Sequence, residues 1–146
     1  MARCSGLGVR DAAALDQLLR LRGAHLIVDG YNVTKTGYAE LALSDQRERL
    51  IQQLAALNAR TGAETTVVFD GAGVVSVPTT TPRGVRVLFS DPGVLADDVI
   101  RSLVAAEPHG RPLVVATSDK EVVTSVRDHG AYSVASAVVL TALGRV

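Results

Sequence analysis

The chain has 146 residues and a mass of 15.3 kDa, enough for one domain, and 47% hydrophobic against 21% charged residues suits a compact core rather than disorder. Fifteen Lys and Arg balance fifteen Asp and Glu, which at face value argues against a partner as acidic as nucleic acid. Cys4 is the only cysteine, excluding an intramolecular disulfide and a cysteine-built zinc site, and no apolar run approaches the roughly 20 residues of a membrane span.

At the N-terminus, MARCSGLGVRD has basic residues but no apolar stretch, so it does not read as a signal peptide, and a cytoplasmic location is expected. Residues 12–22 predict a short helix. His25–Asp29 (HLIVD) is an apolar run ending on an acid and a glycine, the pattern of a buried strand. Residues 30 to about 43 read as a loop. Ser44 is the expected N-cap of a helix to about Arg60, with Leu50, Ile51, Leu54 and Leu57 at helical spacing and Gly62 as its stop. Thr65–Phe69 (TTVVF) predicts a second strand, and the segment 71–84, holding Pro78 and Pro82, a loop. Val85–Phe89 (VRVLF) predicts a third strand, closed by the turn Ser90-Asp91-Pro92-Gly93. A helix over 96–106, a strand over 113–116, a helix over 119–129 capped by Gly130, a strand over 132–134 and a helix over 135–143 complete the chain. Short β-branched strands alternating with helices predict an α/β fold: a central parallel sheet with helices on both faces.

In such sheets ligands collect beyond the carboxyl ends of the strands, where strand order reverses. Asp29 (IVDGYN), Asp70 (VVFDG) and Asp119 (VATSDK) stand at or just past predicted strand ends, and Asp97 and Asp98 open the helix after the third strand (LADDVI). Each has an ordinary reading: Asp-Gly as a turn, Asp97 and Asp98 as partners of a helix N-terminus, Ser118 with Glu121 as a capping box. Together they form a costly cluster. Two carboxylates ~4 Å apart repel by about 4 kcal/mol at an effective dielectric of ~20. A divalent cation or protonation of one acid relieves this. Oxygen ligands without Cys or paired His favour Mg²⁺ or Mn²⁺ over Zn²⁺. Helical spacing places Asp97 beside Ile100 and Val104 and makes it the candidate direct ligand, while Asp98, beside Arg101 and Ser102, is expected to stand behind the direct ligands or to act through water.

The strings IVDGYNV, VVFDG, FSDPGVLADDVI and VVATSDKEV, in that order, resemble the YacP-like NYN domain nucleases of the PIN-like superfamily. The resemblance covers about His25 to Leu143, giving a PIN-like nuclease domain over residues 25–146 behind an N-terminal extension of residues 1–24 with a short helix. Similar domains follow longer N-terminal regions, which leaves open that the chain is one domain of a larger protein. The resemblance implies a PIN-like three-layer sandwich and a metal-dependent endoribonuclease. Asp29, Asp70, Asp97 and Asp119 match the family's acidic positions, Asn32 its DGYN asparagine and Ser118 the polar residue before the last acid. The expected chemistry is phosphodiester hydrolysis with one or two Mg²⁺ or Mn²⁺ ions, with Asp29, Asp97 and Asp119 as ligands and Asp70 as a further ligand or an orienting group for water. Asn32 would hold an acid or a phosphate oxygen, or else stabilise its turn.

RNA is the expected partner. Lys35, in the loop after the first strand, and Lys120, beside Asp119, are placed to meet a phosphate backbone. Tyr31 has two readings, stacking on a base or packing on its own scaffold; Arg83 and Arg86 read as solvated charges. Aromatics are only 3%, so modest affinity for single strands is expected, with help from the ribosome or another RNA-binding domain. His25 reads as core, His109 as loop and His129 as a helix end. A receiver-like phospho-acceptor domain would need an acidic pair where Asp29 is followed by Gly30 and Tyr31. A haloacid-dehalogenase-like phosphatase would need an acid at position 31, and no glycine-rich dinucleotide loop or P-loop is present. A silent RNA-binding relative of the same fold is the remaining alternative. Setting Asp29, Asp70, Asp97, Asp98 and Asp119 aside as one cluster leaves fifteen cations against ten anions. The zero net charge conceals a segregation that suits an anionic substrate.

Overall fold

The computed structural model describes residues 8–71, 82–108 and 110–144. Cys4, His109 and most of the expected 71–84 loop lie outside these residues. The described elements are β1 (Gly8–Val9), α1 (Ala12–Leu19), β2 (His25–Asp29), α2 (Gly30–Gly37), α3 (Leu43–Thr61), β3 (Glu64–Phe69), β4 (Val85–Phe89), α4 (Ala96–Ala106), β5 (Leu113–Ala116), α5 (Lys120–Asp128), β6 (Tyr132–Val134) and α6 (Ser136–Ala142). Six strands form one parallel sheet in the order β1-β6-β5-β2-β3-β4.

Side-chain alternation along the strands divides the core into two halves. Leu26 and Val28, Val67 and Phe69, and Val114 and Ala116 face one half, with Leu15 and Leu19 of α1, Val33 of α2, Leu50, Leu54 and Leu57 of α3 and Val139 and Leu140 of α6. Ile27, Val68, Leu113 and Val115 face the other, against Ile100 and Val104 of α4 and Val122 and Val126 of α5. The result is the expected three-layer sandwich. Each fully buried aliphatic side chain in it contributes about 1.5–3 kcal/mol of burial. The division follows from crossover handedness. Connections running toward β4 (β1 to β2, β2 to β3) place their helices on the first face, and those running back (β4 to β5, β5 to β6) use the second, as a single crossover hand requires. Among the described residues no helix is long and apolar enough to cross a membrane.

Four elements differ from the sequence-based expectation. Residues 30–37 form helix α2 rather than a loop, although GYNVTKTG has glycine at both ends and β-branched residues between them. Tertiary packing overrides that weak propensity: Val33 and Thr34 are buried, and α2 lies against α3 and α6. β1 is a two-residue strand, too short for any periodicity, which pairs with β6 and brings residues 8–19 into the same sheet and core. The cap of α5 is Asp119, not Ser118: Asp119 Oδ1 accepts from the N–H groups of Glu121 at 2.9 Å and Val122 at 3.2 Å. Helix α3 begins at Leu43 with Ala42 as N-cap and no side-chain cap, so Ser44 does not serve that role.

Sheet order reverses between β2 and β5. The chain leaves β2 toward β3 and β4, then returns to the other side of β2 as β5 and β6. The carboxyl ends of β2 and β5 therefore flank the crevice where ligands bind in open α/β sheets.

Candidate active site at the strand-order switch

Asp29 ends β2 at this crevice, and its position depends on the glycine that follows. A Cβ on Gly30 would collide with the Phe69 ring, so only glycine lets the β2–α2 turn settle onto β3. Asp29 Oδ2 accepts the Thr117 hydroxyl at 2.9 Å. The same Thr117 Oγ1 accepts from the Asp119 backbone N at 3.1 Å. Thr117 is buried immediately beyond β5, so one hydroxyl fixes the spacing between Asp29 and the start of α5. Asp119 then commits Oδ1 to capping α5. Its Oδ2 has no hydrogen bond among the described residues.

Asp97 enters from the first turn of α4. Its Oδ1 is buried without a hydrogen-bond partner, while Oδ2 lies 4.0 Å from Arg101 Nη2. Asp98, with 57% of its side chain exposed against 26% for Asp97, stands 3.9 Å from Arg101 Nη1 on the wetter side. The two neighbours thus differ in burial as their helical positions require.

Electrostatics tie three of these acids together. Burial pushes the Asp29 carboxyl up from its ordinary 3.8 to about 6; the Thr117 hydrogen bond opposes this, and the negative charges of Asp119 and then Asp97 add to it. Among the described residues no cation compensates at Asp29. Asp70 lies just past β3, half-buried, two residues beyond Val68, the sheet partner of Asp29. It is not among the charges acting on Asp29. Among the described residues no three His, Cys, Asp or Glu side chains stand close enough to form a ready-made metal cage.

A second polar set borders the acids. Asn32, in the first turn of α2, accepts at Oδ1 from the Ser118 backbone N at 2.8 Å and from the Ser136 hydroxyl at 2.7 Å. Ser118 Oγ accepts from the Ser136 backbone N at 3.0 Å. Lys35 is exposed on α2, not in a loop, with its ammonium 5.8 Å from the Tyr31 ring centroid. Tyr31 packs against Phe69 with ring centroids 5.0 Å apart, and its hydroxyl accepts from Arg47 Nη1 at 2.9 Å. That ring is built into the scaffold. Lys120 is exposed at the first position of α5, next to Asp119, and Arg83 and Arg86 are exposed around β4.

Thr117 and Ser136 escaped the sequence reading. Thr117 had a usable signal, a hydroxyl directly past a strand end in VATSD; Ser136 stands one residue further from its strand, at the first position of α6. His25 lies at the opposite end of the sheet, buried, with Nε2 2.9 Å from Thr66 Oγ1 and Nδ1 3.2 Å from Glu107 Oε2. It has no part in the crevice.

A family model described as the YacP-like NYN domain matches residues 26–146. The crystal structure of Rae1 (YacP) from Bacillus subtilis is similar, with a TM-score of 0.70 and 29% identity over 82% of this chain and 73% of that one. A tryptophan-to-leucine mutant of the same Bacillus subtilis protein matches with a TM-score of 0.70 and 29% identity over 83% and 75%. No curated protein matches the chain. The strand-end acids, the parallel sheet and the extent of the family match lead to one conclusion: the chain belongs to the YacP-like NYN domain family, a nuclease family.

Proposed function

We propose that this chain is a metal-dependent endoribonuclease that hydrolyses RNA phosphodiester bonds, with Mg²⁺ or Mn²⁺ held by Asp29, Asp97 and Asp119. The observation that carries the reading is the Asp29 carboxyl, raised to about 6 by burial and by two further carboxylates, with no compensating cation among the described residues. The buried Asp97 Oδ1 supports it: Arg101 stands 4.0 Å from the other oxygen, Oδ2, and leaves Oδ1 without a hydrogen-bond partner. All the donors are hard oxygens, and with no ready-made cage of three among the described residues they suit an ion that keeps several of its waters. When bound, such an ion supplies charge neutralisation at the phosphate, an activated water and a stabilised leaving oxygen.

The remaining steps belong to the chain's own groups. Thr117 holds Asp29 and the backbone of Asp119 in fixed register. Asp98 acts through water, and Asp70 orients water from the adjacent strand end. Asn32 and Ser118 border the scissile phosphate, while Lys35 and Lys120 engage neighbouring phosphates of the strand. Tyr31 supports Lys35 rather than stacking on a base, because its ring already packs on Phe69. With few aromatic platforms, RNA is held mainly through its backbone, and a ribosome or second RNA-binding domain supplies the missing affinity.

Incubating the purified chain with a circular single-stranded RNA and Mn²⁺ or Mg²⁺ tests this, since a circle has no ends to degrade. Cutting is expected, and is expected to be lost in Asp29→Asn and Asp119→Asn. Equal cutting by wild type and both variants would remove the site assignment. Absence of cutting, with no divalent-ion binding by calorimetry, would favour a silent RNA-binding domain.

A further inference from the structure

Two donors converge on one oxygen of Asn32. The Ser118 backbone N–H and the Ser136 hydroxyl both point at Oδ1. A backbone N–H can only donate, so the atom facing it is the amide oxygen, and chemistry alone sets the orientation of the amide. The Nδ2 group then points away from the network, and among the described residues it has no hydrogen-bond partner. Ser136 is fully buried at the start of α6 and comes from 104 residues away in the chain. Its own N–H donates to Ser118 Oγ at 3.0 Å, closing a ring that joins the ends of β2, β5 and β6. Asn32 lies three residues beyond Asp29 and is bonded to the residue preceding Asp119.

We propose that Ser136 is a positioning residue for RNA cleavage: its hydroxyl locks the Asn32 amide so that Nδ2 is presented as a neutral donor to a non-bridging phosphate oxygen beside the acids. This rests on the ribonuclease reading above. The second rotatable bond of asparagine has a broad, nearly two-fold profile, so one donor at Oδ1 still lets the amide plane swing. A second donor from a fully buried side chain removes that freedom before substrate arrives. The sign of the contact makes the lock consequential. In the opposite orientation Oδ1 would face the phosphate and add one more acceptor to a site already crowded with carboxylates. In the observed one, the phosphate meets an N–H beside Asp29 and Asp119 at no cost in charge.

A positioning role through Asn32 predicts non-additivity. Ser136→Ala should lower kcat/KM for RNA about fivefold in the wild-type background and less than about 1.5-fold in Asn32→Ala, because the group it positions is gone. Equal losses in the two backgrounds, or no loss in the wild type, would overturn the proposal. Side-chain ¹⁵N relaxation supplies a readout independent of catalysis. The Asn32 amide should be rigid in the free wild-type chain and mobile in Ser136→Ala; a mobile amide in the wild type would equally overturn the proposal. Should the wild type cut no RNA, the ribonuclease reading fails, while the relaxation result still decides the lock. Ser136→Cys, close in size and only a weak donor, replaces Ser136→Ala if the latter does not fold.

Discussion

Replacing Asp29 with Asn should make the metal-free protein more stable while abolishing catalysis. The Asp29 carboxyl ionises near 3.8 in an unfolded chain and near 6 in the folded one. Between those values the folded state binds the extra proton, so stability falls as pH rises from about 4 to about 6 and is level above that, a loss of up to about 3 kcal/mol. Asparagine cannot ionise, and its amide oxygen still accepts the Thr117 hydroxyl. In chelator at pH 7.5 the variant should therefore melt up to roughly 6–12 °C above the wild type, at about 2–4 °C per kcal/mol for a chain of this size. Calorimetric melts from pH 4 to 8 follow the effect. The gap should be near zero at pH 4, open through pH 6 and then stay constant. Adding Mn²⁺ should raise the wild-type midpoint and leave the variant unmoved. A variant no more stable than wild type at pH 7.5, or a gap of equal size at pH 4, would refute the claim that Asp29 is held at a cost.

Divalent-ion affinity should weaken as pH falls below about 6, by at most about tenfold per pH unit, because a protonated Asp29 cannot ligate; calorimetric titrations with Mn²⁺ at pH 5 and 7 giving one affinity would contradict this. Thr117→Val removes the hydroxyl that holds Asp29 down, so the acid limb of the pH–activity profile should move to higher pH while Thr117→Ser restores it. The same Thr117→Val change leaves the Asp119 N–H without its partner and should cost about 1–3 kcal/mol in urea unfolding. Gly30→Ala drives a methyl into the Phe69 ring and should destabilise by about 1–3 kcal/mol in the same assay, with a loss of cleavage because the β2–α2 turn carries Asp29.

How much of this was legible in the sequence follows from how local each signal is. The apolar runs HLIVD, TTVVF and VRVLF announce strands directly, and acids at their ends announce the crevice, because in a parallel sheet every carboxyl end faces the same way. The burial difference between Asp97 and Asp98 was readable from helical spacing alone. Helix α2 was not, since GYNVTKTG becomes helical through burial of Val33 and Thr34 against elements 10 to 100 residues distant. β1 was hidden for the opposite reason. Two residues carry no period, and only pairing with β6 makes them a strand.

Ser136 and Thr117 expose a deeper limit. A carboxylate advertises itself by charge, and its clustering is improbable without a function. A buried serine or threonine has no such signature, because hydroxyls are ordinary at helix starts and strand ends. Their importance arises only from what the fold places opposite them: Asp29 and the Asp119 N–H for Thr117, the Asn32 amide for Ser136. The acids of this crevice repel one another and cannot fix their own geometry. The neutral hydroxyls hold the arrangement in place, and under the proposed reading that fixed repulsion is what a divalent cation would relieve.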